Sequence, residues 1–141
     1  MTRAFDPSDY PIGEKRLDLV ATPTGRPVSD LTAPAFAEGR VGRADIGITA
    51  EGLRRQAEVA RAAGRARLAD NFERGAELVA VPDDVLIATY ELLRPGRARD
   101  RAELEAAAAE LRRAYGAERI AWLIEDAAEV YERRGLFRRR F

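Results

Sequence analysis

The chain has 141 residues, enough for one domain with a modest core, and balances 24 basic against 24 acidic side chains. That balance leaves no global field to draw it to nucleic acid or to an anionic membrane. It contains neither cysteine nor histidine, which excludes thiol nucleophiles, Cys/His metal sites, Ser-His triads and disulfides together.

No apolar run approaches the roughly 18 residues that span a bilayer. The opening stretch carries Asp6, Asp9, Glu14 and Asp18 and does not read as a signal peptide. A cytoplasmic chain with no membrane partner is therefore expected. Every basic residue except Lys15 is arginine. A GC-rich genome explains that bias more simply than a selection for bidentate contacts.

Residues 1–48 intersperse Pro7, Pro11, Pro23, Pro27 and Pro34 with glycines, and their apolar positions keep no helical or strand period. So long a stretch without its own periodic structure is unusual inside a compact domain. Full disorder fits poorly with its aromatic and aliphatic content and balanced charge. An extended N-terminal arm ordered by a partner surface is the better reading.

From Thr49 the pattern is helical. Thr49 is placed as an N-cap with Glu51 in the first turn, and Leu53, Ala57, Ala60 and Ala63 form the apolar side. After a break at Gly64, Leu68, Phe72, Ala76 and Val79 line a second stripe. Val81-Pro82 interrupts it, and Asp83 and Asp84 open a third helix at its positive dipole end. That helix carries Leu86, Tyr90 and Leu93 on one face and stops at Pro95-Gly96.

Asp100 and Glu103 resemble a capping box for a fourth helix, with Leu104, Ala108, Leu111 and Tyr115 aligned and Gly116 closing it. A fifth runs from about Glu118 to Arg134 on the stripe Ile120, Leu123, Ile124, Ala127 and Tyr131. The expected fold is mainly α: a small bundle of about five short helices behind a long extended arm. The divisions are an arm over 1–48, a helical domain over 49–135 and a basic tail over 136–141. Burial in so small a bundle could offset its own ordering, but the arm could not order alone. An obligate subunit is the natural consequence.

Candidate chemistry is sparse. Asp83 and Asp84 point to different sides of one turn, so they read as helix-end electrostatics rather than as an acid-base pair. Glu125, Asp126 and Glu129 read as a solvated face rather than as metal ligands. The arginines of the tail, Arg133, Arg134 and Arg138 to Arg140, with Phe137 and Phe141, could grip nucleic acid. A solvated helix end and an acidic partner subunit are the alternatives, and the zero net charge weighs against nucleic acid. Gly39-Arg40-Val41-Gly42 lacks the flanking strand and further spacing of a phosphate cradle. Trp122 would be a natural energetic anchor at an interface. Asn71, a weak helix former in mid-helix, fits either a hydrogen bond to a partner or an exposed position.

Asn71-Phe72, Ala76-Glu77-Leu78 and Val81-Pro82-Asp83 resemble the small subunit of the adenosylcobalamin-dependent diol and glycerol dehydratases. The likeness also takes in Asp9-Tyr10-Pro11, Thr22-Pro23-Thr24-Gly25, Val41-Gly42, Ile48-Thr49, Leu53 and Gln56-Ala57. It continues through Leu93-Arg94-Pro95, Ala102-Glu103-Leu104, Glu110-Leu111 and Ala128-Glu129-Val130-Tyr131, nearly the whole chain in order and spacing.

The resemblance implies a dimer of three-subunit units. A large (β/α)8 subunit would hold the diol and a metal ion (K+ or Ca2+), and the cobalamin would lie between large and medium subunits. A radical mechanism would convert a 1,2-diol or glycerol to an aldehyde and water. The small subunit would supply no catalytic, cofactor or metal ligand and would pack on the large one. Tyr10, Pro11, Pro23, Asn71, Phe72 and Trp122 are the candidate contact residues. A free-standing helical adaptor without dehydratase partners is the rival reading.

Two residues depart from the family's habit. Gly75 stands where alanine is usual, at a cost of about 1 kcal/mol in helix propensity. Gly96 stands where an aromatic residue is common. Only eight residues precede Asp9, whereas diol dehydratase subunits often carry a longer leader associated with microcompartment packaging. That leans toward a glycerol-dehydratase-like or free cytoplasmic enzyme and leaves microcompartment residence open.

Overall fold

The structure is a computed structural model that describes residues 4–137. It is mainly α-helical. In chain order the helices are α1 (Ile12–Lys15), α2 (Ala33–Ala37), α3 (Ala50–Ala62), α4 (Ala66–Leu78), α5 (Asp83–Leu93), α6 (Arg101–Tyr115) and α7 (Glu118–Arg134). Among the described residues, strand pairing is confined to an isolated antiparallel bridge between Ala21 and Pro27. No described helix is long and apolar enough to cross a membrane. The chain divides into two compact units between Val79 and Ala80.

The first unit is built on the α3–α4 hairpin. Thr49 caps α3 by accepting the Gly52 amide at 2.9 Å. Gly64, at φ +74°, makes the corner before α4, a left-handed conformation that a Cβ would strain. Ala57, Ala60 and Ala69 form the buried seam, and Tyr10, Leu68 and Phe72 pack against it. Small residues let the two helix backbones approach closely, so the aromatic rings close the seam from the side.

Over the residues read as an extended arm, the backbone makes short turns joined by extended links. Single 3-10 turns fall at Pro7–Asp9, Leu17–Leu19, Val28–Asp30 and Arg43–Asp45, besides α1 and α2. Ile12, Ala35 and Val41 are buried among them.

The second unit is built on the α6–α7 hairpin. Asp100 accepts the Glu103 amide at 3.0 Å, while Glu103 reaches back to the amide of Arg99 at 2.7 Å rather than to that of Asp100. The reciprocal cap is thus completed one residue early. Gly116 ends α6 at φ +63°, as a C-terminal glycine should. Leu104, Ala108 and Leu111 of α6 and Ile120, Ala121, Ile124 and Ala128 of α7 form the core. The buried arc of α7 is rotated toward Ala121 and Ala128, which leaves Leu123 exposed at its margin.

Val79 and Tyr90 are corrections to the predicted stripes, since both are exposed. The flank of Leu53 faces Gly75, 3.4 Å from where a Cβ would stand. Followed in antiparallel register, α3 begins at Ala50 opposite the end of α4, and Val79 overhangs it. Helix α5 has no buried residue at all.

Candidate functional site

Tyr10 is positioned by a turn that its own neighbours close. Asp6 accepts the Ser8 amide at 2.8 Å, and buried Asp9 accepts the Asp6 amide at 3.0 Å. Arg16 supports Asp9 at 3.4 Å. This fixes the entry to Tyr10 and Pro11, which are joined by a cis peptide bond. The phenol ring lies against the alanine seam of α3 and α4, on which Phe72 also packs. The Arg65 guanidinium lies over the ring, 4.5 Å from its centroid.

Pro23 sits on a second knot of polar contacts. Thr24 donates to the Asp45 carboxylate, the Gly42 amide donates to it at 2.9 Å, and Arg26 lies 3.3 Å away. The Gly42 amide first, then the Thr24 hydroxyl and the Arg26 charge, hold the Asp45 carboxyl below the usual carboxylate range against the opposing effect of burial. Gly47 allows the close approach of the Pro23 ring, whose Cγ is 2.9 Å from where a Cβ would stand. The Arg55 side chain of α3 ties this segment to the hairpin by donating to the carbonyl of Leu19 and to Glu51.

The structure therefore places Tyr10 and Phe72 on one alanine seam in the first unit, with Pro11 next to Tyr10 in the chain and Pro23 elsewhere in the same unit. Asn71, beside Phe72 in sequence, faces outward, and its carbonyl oxygen accepts from Arg74. Trp122, in the second unit, is 61% exposed, because it lies across α7 from the buried Ile124. Sequence reasoning passed over Ile46, Ile48 and Ile87, all exposed. A signal for Ile87 was available: helix α5 is apolar around most of its circumference, which a single buried stripe does not explain.

The acidic residues are mostly engaged with arginines. Arg112 forms a fork on Glu125 at 2.9 and 3.1 Å and also reaches Glu118 at 2.8 Å. The guanidinium holds the Glu125 carboxyl below its ordinary range. Glu129 lies 4.0 Å from Arg133. Asp83 and Asp84 occupy the first turn of α5, exposed. Among the described residues no group of three or more acidic side chains could hold a metal ion. An open groove of about 740 Å³ in the first unit has a lining that includes Glu51, Arg55 and Arg61. Arg55 is committed to Glu51 and Arg61 to Glu73. Arg138, Arg139, Arg140 and Phe141 of the basic tail lie outside the described residues.

The family model described as "Dehydratase small subunit" matches residues 5–138. The propanediol dehydratase small subunit of Citrobacter freundii is 43% identical over 127 residues, which cover 90% of this chain and 73% of the relative. That of Salmonella typhimurium is 42% identical over 133 residues, covering 94% and 76%.

Proposed function

This chain belongs to the dehydratase small-subunit family, and from that membership we propose that it is the non-catalytic small subunit of an adenosylcobalamin-dependent diol dehydratase. Its partners would be a large and a medium subunit, in a dimer of three-subunit units. Its role would be to stabilise the large barrel subunit and the assembly. The reaction served is the conversion of a 1,2-diol or glycerol to an aldehyde and water; propane-1,2-diol would give propanal. The observation that carries the reading is the family match, which runs almost end to end.

The exposed apolar side chains Trp122, Ile87 and Tyr90 support it. Monomeric proteins rarely leave large apolar groups uncovered in patches, and interfaces use aromatic ones as anchors.

Adenosylcobalamin would supply the radical that starts the reaction and would be held, with the metal ion, by the partner subunits. In this reading the chain itself would supply a ligand to neither. It has no histidine to ligate cobalt, and Glu118 and Glu125 are committed to Arg112. What its own residues do is pack, cap and present a surface.

Reconstitution tests the proposal. The large and medium subunits assembled with this chain should dehydrate propane-1,2-diol and should survive heating longer than the same pair without it. Equal rate and equal half-life in its absence would contradict a stabilising role.

A further inference from the structure

Four exposed residues fall on one line along α5. Asp83, Ile87, Tyr90 and the C-cap residue Arg94 are spaced four, three and four residues apart, so they follow a single face of the helix. Ile87 and Tyr90 are 63% and 66% exposed. The opposite side of the helix is the one turned to α6, where Val85, Ala88 and Leu92 line a largely apolar depression of about 290 Å³ with Ala107 and Leu111. No residue of α5 is buried. The Ile87–Tyr90 face is what remains after the helix has met its own unit.

The two ends of that face carry opposite charge. Asp83 and Asp84 form the N-terminal end, exposed and without an ion pair among the described residues. At the C-terminal end Arg94 and Arg97 share one carboxylate, that of Glu91, at 3.1 and 3.9 Å, which leaves that end net basic. The spacing reads the same in both directions. A second α5 laid antiparallel, about a two-fold axis between Ile87 and Tyr90, sets Ile87 against the other copy's Tyr90 and Asp83 against its Arg94, each pair occurring twice. Apolar centre then meets apolar centre, and acidic end meets basic end. Parallel packing would instead set acid on acid and base on base.

We propose that the face of α5 formed by Asp83, Ile87, Tyr90 and Arg94 is a self-complementary surface on which two copies of this chain pair, antiparallel and two-fold symmetric. An 11-residue helix is about 16 Å long. Two such helices side by side cover less than the roughly 1,600 Å² of a standard interface. The dimer is accordingly weak and forms in the free chain at high concentration. Its apolar centre supplies most of the affinity and its charged ends fix the orientation. No other chain is required for it.

Sedimentation equilibrium of the full chain from about 10 µM to about 1 mM tests it. The mass should rise from the 15.6 kDa of one chain toward twice that, with a midpoint at about 100 µM. Ile87→Ser should raise the midpoint about tenfold or more. Asp83→Lys and Arg94→Glu should each do the same alone, because each sets like charges opposite one another across the two-fold axis. Mixed in equal amounts, the two charge variants should dimerise again at about the wild-type midpoint, since every end pair is then of opposite sign. That recovery also shows that both variants fold.

A chain that stays monomeric to about 1 mM would overturn the proposal, and so would a dimer indifferent to Ile87→Ser. Loss in each charge variant without recovery in the mixture would contradict the antiparallel pairing. A photo-crosslinking residue at position 90 of the otherwise native chain decides independently of how the variants fold. A crosslink to the peptide that carries Ile87 of a second copy supports the proposal; crosslinks to other peptides, or none, contradict it. Crosslinks found only to a large or medium subunit in the assembled complex would give the face to a different occupant and overturn it as well. Each of these outcomes leaves the dehydratase-subunit role untouched, because reconstitution decides that separately.

Discussion

The Arg65 guanidinium rests over the Tyr10 ring, 4.5 Å from its centroid, and so clamps the N-terminal segment onto the corner between α3 and α4. The same ring packs against the alanine seam. One aromatic side chain thereby couples the part of the chain with no periodic pattern to the part with the clearest one. Tyr10→Ala should destabilise the first unit by about 2 kcal/mol, within the usual range for truncating a large half-buried side chain. Arg65→Ala should cost about 0.5–1 kcal/mol. Urea unfolding of both single variants and the double variant should yield a coupling energy; strictly additive effects would show that the stacking contributes nothing.

Gly75 offers a gain. It lies inside α4, where glycine costs about 1 kcal/mol relative to alanine. A Cβ there would meet only a methyl of Leu53, at 3.4 Å, an ordinary contact with a side chain that can adjust. Gly75→Ala should therefore raise stability by about 0.5–1 kcal/mol in a urea melt. A loss would mean that the α3–α4 seam is tighter than this spacing suggests.

Asp45 gives a pH dependence with a definite sign. Its folded-state pKa is lowered by the Gly42 amide, the Thr24 hydroxyl and Arg26. Its stabilising contribution is therefore fully present above the pKa of the unfolded carboxyl, near 4, and is lost as pH falls through the lower folded value. The stability difference between wild type and Asp45→Asn should be constant from pH 7 to about pH 5 and shrink below about pH 4. A difference that grows as the solution is acidified would reverse this assignment.

Core and surface positions of the second unit should separate cleanly. Leu104 and Leu111 are fully buried, and truncating either to alanine should cost about 2–5 kcal/mol in the isolated chain. Trp122→Ala should change that stability by no more than about 0.5 kcal/mol. In the assembled complex the order should shift, with Trp122→Ala weakening subunit association about tenfold or more if the indole is an anchor. Chemical unfolding of the chain and dissociation of the complex read the two effects separately.

Legibility in the sequence followed the range of the forces involved. Thr49, Asp100 and Gly116 act within one turn, and their caps were readable from neighbouring residues alone. The hairpin seams were nearly so, because periodicity marks a face. It marks only the direction of the face, however. Leu123 is exposed because alanines at 121 and 128 turn the seam of α7 toward α6. Val79 is exposed because it overhangs the end of α3, which no local pattern records.

Residues 4–48 were least legible. Their turns are too short to carry a period, and the ties that hold them are distant in sequence: Thr24 to Asp45, and Leu19 to Arg55. Among the candidate contacts, Tyr10 and Phe72 pack on the same alanine seam although they are distant in sequence, while Asn71 and Trp122 face outward. The apolar excess of α5 was written in its composition. A stripe of Leu86, Tyr90 and Leu93 had already been assigned to its inside, and that assignment hid the excess.

The mass of the complex formed on co-expression is the most direct test of the account. Native mass spectrometry of the purified dehydratase should show a particle containing two copies each of the large, medium and small chains, with this one contributing 15.6 kDa per copy. A catalytically active large–medium assembly of full stability, with this chain migrating alone, would contradict its role as a structural subunit.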